Sequence, residues 1–167
     1  MSFSPIPKYV NANMEVEFAR STNPSGNLST NTRLQVPTFS NLSGITYEKS
    51  SSGLSYNDIV VLPSGYSYYI LAGCHGGATS DYSWIVNVKL YDEDASANIG
   101  TRAYYMNSST ASTGGSASAA QAFTRLSSSL FLPTLTSSKR LSLMVSYSNG
   151  PFNSYSYNHW TVYRIPN

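Results

Sequence analysis

Apolar and polar positions alternate with a period of two along much of this chain. Tyr66, Tyr68, Ile70, Ala72 and Cys74 fall on one side of an extended segment, and Ser67, Tyr69, Leu71 and Gly73 on the other. Successive side chains of a strand point to opposite faces, so this pattern in a Tyr- and Ile-rich run predicts a strand. Pro63-Ser64-Gly65 before it is turn chemistry, because proline presets its own φ and glycine accepts a positive one. Gly76-Gly77 is expected to end the strand. A second apolar row, Trp84, Val86, Val88 and Leu90, stands opposite Ile85, Asn87, Lys89 and Tyr91. The clean row is expected to face a core, and the mixed row water or another subunit. The connection from His75 to Tyr82 is longer than a tight hairpin, so the two strands either pair directly or cross between sheets.

Shorter patterns flank this centre. Strands are predicted at Met14–Ala19, with Glu15 and Glu17 on an exposed face, at Leu34–Phe39, confined to an edge by Pro37, and at Ile45–Lys49. Further strands are predicted at Asp58–Leu62, at Ile99–Met106, within Phe123–Leu135 up to Pro133, along Leu141, Leu143, Val145 and Tyr147, and through Trp160, Val162 and Arg164 to Pro166. Asn23-Pro24-Ser25-Gly26, Ser50-Ser51-Ser52-Gly53 and Asn149-Gly150-Pro151 read as turns, Asp92-Glu93-Asp94 as a polar loop, and Asn107–Ala119 as an exposed low-complexity loop. The one helix-like stretch, Ala117–Ala122, is too short to stand alone. Eight to ten short strands at irregular spacing predict an all-β fold, an antiparallel β-sandwich or a jelly roll. Residues 1–40 are expected to form an extended N-terminal arm with short strands, and residues 41–167 the jelly-roll domain.

Composition narrows the function classes. Charged residues are only 11% of the chain, so Ser, Thr and Asn supply the polar surface. The net charge of +2 gives no electrostatic case for nucleic acid or for an anionic membrane, and no apolar run is long enough to span a bilayer. The start, Met1-Ser-Phe-Ser-Pro-Ile-Pro, lacks the basic and apolar regions of a secretory signal. Cys74 is the single cysteine, which excludes an internal disulfide; in a strand pattern it reads as a small buried side chain. Fourteen tyrosines exceed what one small core uses, and tyrosine suits interfaces because an apolar ring carries a polar tip.

Candidate chemistry is sparse. His75 and His159 are the only histidines, read as a turn residue and a strand-edge residue; with Asp81 or Asp92 they fall short of a zinc-ligand spacing. Asp92-Glu93-Asp94 lacks the glycine and distal glutamate of a calcium loop and reads as a solvated turn. There is no Gly-x-Ser-x-Gly elbow and no preferred pair among eight acidic residues, so neither enzyme activity nor a cofactor is expected. Phe152–Asn158 has the Tyr/Ser/Asn composition of adaptable binding loops. Tyr82, Asn153, Tyr155, Tyr157 and Asn158, with Trp160 nearby, are therefore candidates for a glycan or partner contact, against the plainer reading of subunit contact or loop packing.

Several stretches resemble the TNF-like superfamily, which includes the globular heads of complement's first component. Pro63–Ile70 resembles its Gly-x-Tyr strand, Val86–Asp92 the next strand with its polar turn, and His159–Ile165 the closing strand. Ser138–Val145 occupies the place of a Gly-Asp strand entry but has no Gly-Asp. The resemblance spans roughly residues 45–165. It implies a ten-strand jelly roll that assembles as a homotrimer around aromatic faces, with Tyr66, Tyr68, Tyr69, Tyr91 and Tyr163 as candidate interface residues. Trimeric jelly rolls of this kind occur as knobs, fibre heads and capsid decorations of tailed bacteriophages. With no collagen-like repeat and no signal, the chain is expected to be a non-enzymatic virion-surface protein made in the host cytoplasm. Its arm, through Phe3, Ile6, Tyr9 and Val10, is expected to hold a capsid or tail protein of the same particle. The alternative expectation is a receptor-binding tip for host-surface glycan.

Overall fold

The structure, a computed structural model, describes residues 13–20, 29–50, 56–78, 84–107, 122–149 and 153–166. Ten strands follow one another: β1 (Asn13–Arg20), β2 (Arg33–Leu34), β3 (Thr46–Glu48), β4 (Ile59–Leu62), β5 (Tyr66–Ala78), β6 (Trp84–Asp92), β7 (Ala97–Asn107), β8 (Ala122–Leu132), β9 (Lys139–Asn149) and β10 (Asn153–Pro166). No helix occurs among the described residues.

The strands form two antiparallel sheets. One has four strands in the order β1-β10-β5-β8; the other has six, β3-β4-β9-β6-β7, with β2 continuing the edge of β9 beyond β4. From β4 onward only β6 and β7 form a hairpin within one sheet; every other consecutive pair crosses between sheets. This is jelly-roll winding, and the protein is an all-β antiparallel sandwich. The central question of pairing or crossing resolves as crossing: β5 lies in the four-stranded sheet and β6 in the six-stranded one.

The alternating rows explain the layers. Tyr68, Ile70, Ala72 and Cys74 of β5, with Trp160 and Val162 of β10, meet Val86, Val88 and Leu90 of β6 and Leu141, Leu143 and Val145 of β9, all fully buried. Burial of each large side chain is worth ~2 kcal/mol, so this double layer is the main source of stability. The Cys74 thiol sits within it, and burial pushes its pKa up to about 12.

Several expectations are corrected. Gly76 and Gly77 do not end β5: they pair with Thr124 and Phe123 of β8 and with Ser154 and Asn153 of β10, so ladders on both sides carry the strand through to Ala78. Leu34–Phe39 is a strand only at Arg33–Leu34, yet Val36 and Phe39 remain in the core. Ala122 opens β8 instead of closing a helical turn. On the N-terminal side of residue 40, β1 pairs with β10 over its full length, and Leu34, Val36 and Phe39 pack into the sandwich. Phe3, Ile6, Tyr9 and Val10 lie outside the described residues, as do the side chains of Glu15 and Glu17.

Candidate functional site: an aromatic sheet face

The outer face of the four-stranded sheet follows directly from register. Tyr69 on β5 is the Cα partner of Tyr163 on β10 and of Phe131 on β8, so three aromatics form one row across the sheet. The rings of Tyr69 and Tyr163 are 6.0 Å apart and tilted by 50°. Phe131 is 58% exposed and Tyr69 37%, which leaves large apolar surface in water. The neighbouring row is Thr161, Leu71 and Ser129; beyond the aromatic row lie Ile165 and Ser67, the latter sharing a 3.1 Å hydroxyl contact with Thr134. None of these described side chains carries a charge.

The next row of this face is a close fit. His159, Gly73 and Ser127 are cross-strand partners, and His159 Nε2 lies 2.9 Å from Ser127 Oγ. A Cβ on Gly73 would stand 1.8 Å from the Leu126 carbonyl oxygen and 2.5 Å from His159 Cε1, so only glycine lets the imidazole lie flat on β5. His159 is consequently 5% exposed. It is not the strand-edge residue expected, since β10 is paired on both sides, and His75 lies in β5 instead of a turn. Among the described residues no three His, Cys, Asp or Glu side chains come together in a way that would hold a metal ion.

The other outer face is different in kind. Arg33 reaches across β9 to the turn after β6, donating from Nε and Nη2 to Glu93 at 2.7 and 2.9 Å, and its guanidinium lies 5.6 Å from the Tyr91 ring centre. Ser142 donates to the same carboxylate at 2.6 Å. Lys139 pairs with Asp92 at 2.6 Å, and Arg140 pairs with Glu48 at 2.8 Å and with Asp94 at 3.7 Å. The turn Asp92-Glu93-Asp94 is thus not the solvated loop expected. Asp92 also accepts from the backbone N–H groups of Asp94 and Ala95, both at 3.0 Å, and so closes the β6–β7 hairpin. Burial pulls the Asp92 and Glu93 carboxyls upward, but the bonds from Lys139 and the turn, and from Arg33 and Ser142, outweigh it and hold both below the usual range.

These geometries sort the expected site residues. Tyr69 and Tyr163 lie on the aromatic face. Tyr68 does not: it is fully buried, donates to the Pro63 carbonyl at 2.9 Å, and burial raises its hydroxyl pKa to about 12 despite the nearby Arg164. Tyr66 packs edge-on against it at 6.3 Å, beneath the Arg164 guanidinium at 4.7 Å. Tyr91 belongs to the opposite, charged face. Phe131 was missed because nothing in its local pattern says which strands flank β8.

The glycan candidates separate as well. Asn153, Tyr155, Tyr157 and Asn158 lie in β10 and not in a loop. Asn158 is fully buried and donates from Nδ2 to the Gln35 carbonyl at 3.1 Å, and Trp160 is fully buried in the core, so neither is open to a sugar. Tyr82 lies outside the described residues, as do the side chains of Asn153, Tyr155 and Tyr157. No family model matches the chain, and no curated protein matches it in sequence.

Proposed function

We propose that this protein is a non-enzymatic structural module that assembles as a homotrimer through the outer face of its four-stranded sheet. In this reading it is a surface protein of a bacteriophage particle, a capsid decoration, head fibre or knob, and the segment before β1 attaches it. The observation that carries the reading is the row Tyr163, Tyr69 and Phe131 on a face without charge among its described side chains. Interface centres are depleted in charge and enriched in aromatics, and contiguous exposed apolar side chains mark interaction surfaces. The opposite face is laced with ion pairs, which suits solvent. The resemblance of residues 45–165 to the TNF-like superfamily supports three as the copy number, and the jelly-roll winding agrees with it.

Light scattering over a dilution series tests the assembly. The expected mass is three times the 18.2 kDa of one chain, falling to one chain in a Tyr69→Arg, Phe131→Glu variant. A monodisperse wild-type monomer sinks the proposal. Deletion of residues 1–12 is expected to leave the trimer intact and to abolish binding to particles; retained binding removes the attachment role.

A further inference from the structure

Next to Asn87 on the six-stranded sheet, the ladders on both sides of β6 shift register around Val88. Asn87 on β6 pairs with Tyr104 of β7 and with Tyr147 of β9. Immediately beyond it, β7 gains residues between the partners of Val88 and Leu90, and β9 gains Ser146 between the partners of Asn87 and Val88. Bulges re-aim side chains and recur beside binding sites. Here the β7 bulge contains Gly100, at φ +74°, and releases Arg102 toward Asn87.

Asn87 is only 8% exposed, and its Oδ1 accepts from both Nε and Nη2 of Arg102 at 3.3 and 3.2 Å. The guanidinium lies 5.1 Å from the centre of the Tyr104 ring, and Tyr104 is 61% exposed, more than any other large hydrophobic side chain described. An arginine fixed in this way loses little freedom when it binds, which favours affinity. Among the described residues no carboxylate pairs with its charge, unlike Arg33 and Arg140 on the same face.

We propose that Asn87, Arg102 and Tyr104 form a binding site for acidic saccharide, a pyranose bearing a carboxylate. The carboxylate takes the free edge of the Arg102 guanidinium, where planar two-point recognition is strongest, and the sugar ring lies against Tyr104. No described carboxylate of this chain is left to take that place. All five described acidic side chains already have internal partners: Glu48 and Asp94 on Arg140, Asp58 on Ser50, Asp92 on Lys139, and Glu93 on Arg33. A sugar fits better than an acidic peptide, because the described side chains around Tyr104, namely Asn87, Lys89 and Ser146, are polar and offer hydrogen bonds where a peptide anchor needs apolar lining. The site is on the sheet opposite the aromatic face and does not depend on the trimer.

Calorimetric titration of the full chain with hexagalacturonate and with oligosialate tests the proposal, with methyl-esterified hexagalacturonate and polyglutamate as controls. At least one acidic sugar is expected to bind, and neither control. Arg102→Lys, which keeps charge but loses the planar fork, and Tyr104→Ala are each expected to weaken binding about tenfold or more at unchanged oligomeric mass. If Arg102→Lys lowers the melting temperature, Tyr104→Ala alone decides. No binding by either sugar, affinity unchanged by the deciding variants, or equal binding of polyglutamate overturns the proposal.

Discussion

At Gly73 the sheet has no room for a side chain. The methyl of Gly73→Ala would overlap the backbone carbonyl of Leu126, and a carbonyl held in a ladder cannot swing aside as a side chain does. Strands β5 and β8 must therefore separate, and the His159 ring must leave Ser127. The expected loss is ~3 kcal/mol, read as a lower urea midpoint at unchanged slope; a loss below ~0.5 kcal/mol would show that the strands accommodate the methyl. The sequence places Gly73 in the outward row of an alternating strand, but the need for glycine arises from a histidine far along the chain, which only register reveals. Cys74 beside it is the opposite case. Its inward place in the row was readable from the pattern, and burial raises its thiol pKa to about 12, which keeps the thiolate scarce well above neutral pH.

At the scale of elements, the β6–β7 hairpin is the part most sensitive to acid. The folded-state pKa values of Asp92 and Glu93 lie below their ordinary ones. Groups depressed in this way contribute stability that is complete above their unfolded pKa, near pH 4, and lost as pH falls through the folded value. The urea midpoint is therefore expected to be level from about pH 7 to 5 and to fall below about pH 4. Glu93→Gln removes the charge facing Arg33 and is expected to cost ~2 kcal/mol at pH 7 while flattening part of the acid fall; an equally steep fall in that variant would place the acid sensitivity elsewhere. Most strands were legible because period-two alternation is a local signal. Their ends were less so: Gly76 and Gly77 look like breakers in isolation, yet pairing on both flanks holds them in β5. The acidic turn looked solvated because its partners, Arg33, Lys139 and Arg140, lie far away in sequence.

Across the molecule, the described side chains of the two outer faces differ in charge, and the association proposed for one of them would make stability depend on concentration. The melting temperature of the wild type is expected to rise with protein concentration, and that of Phe131→Glu to stay fixed at a lower value; a wild-type melt independent of concentration would count against a bound oligomer. Tyrosine abundance pointed to an interface, but of the five tyrosines singled out only Tyr69 and Tyr163 share the aromatic face, because the face of a strand depends on which sheet it joins. The place of β10 has a further consequence. It lies between β1 and β5, and of the ten strands it is the last to leave the ribosome. Until then the four-stranded sheet lacks a middle strand, β1 has no neighbour, and the aromatic row lacks Tyr163. Folding of the sandwich must wait for synthesis of its final strand, since such distant pairings cannot form piecemeal. A chain cut short before β10 thus lacks both a finished sheet and a finished aromatic row, so only copies that include β10 could take part in the proposed assembly.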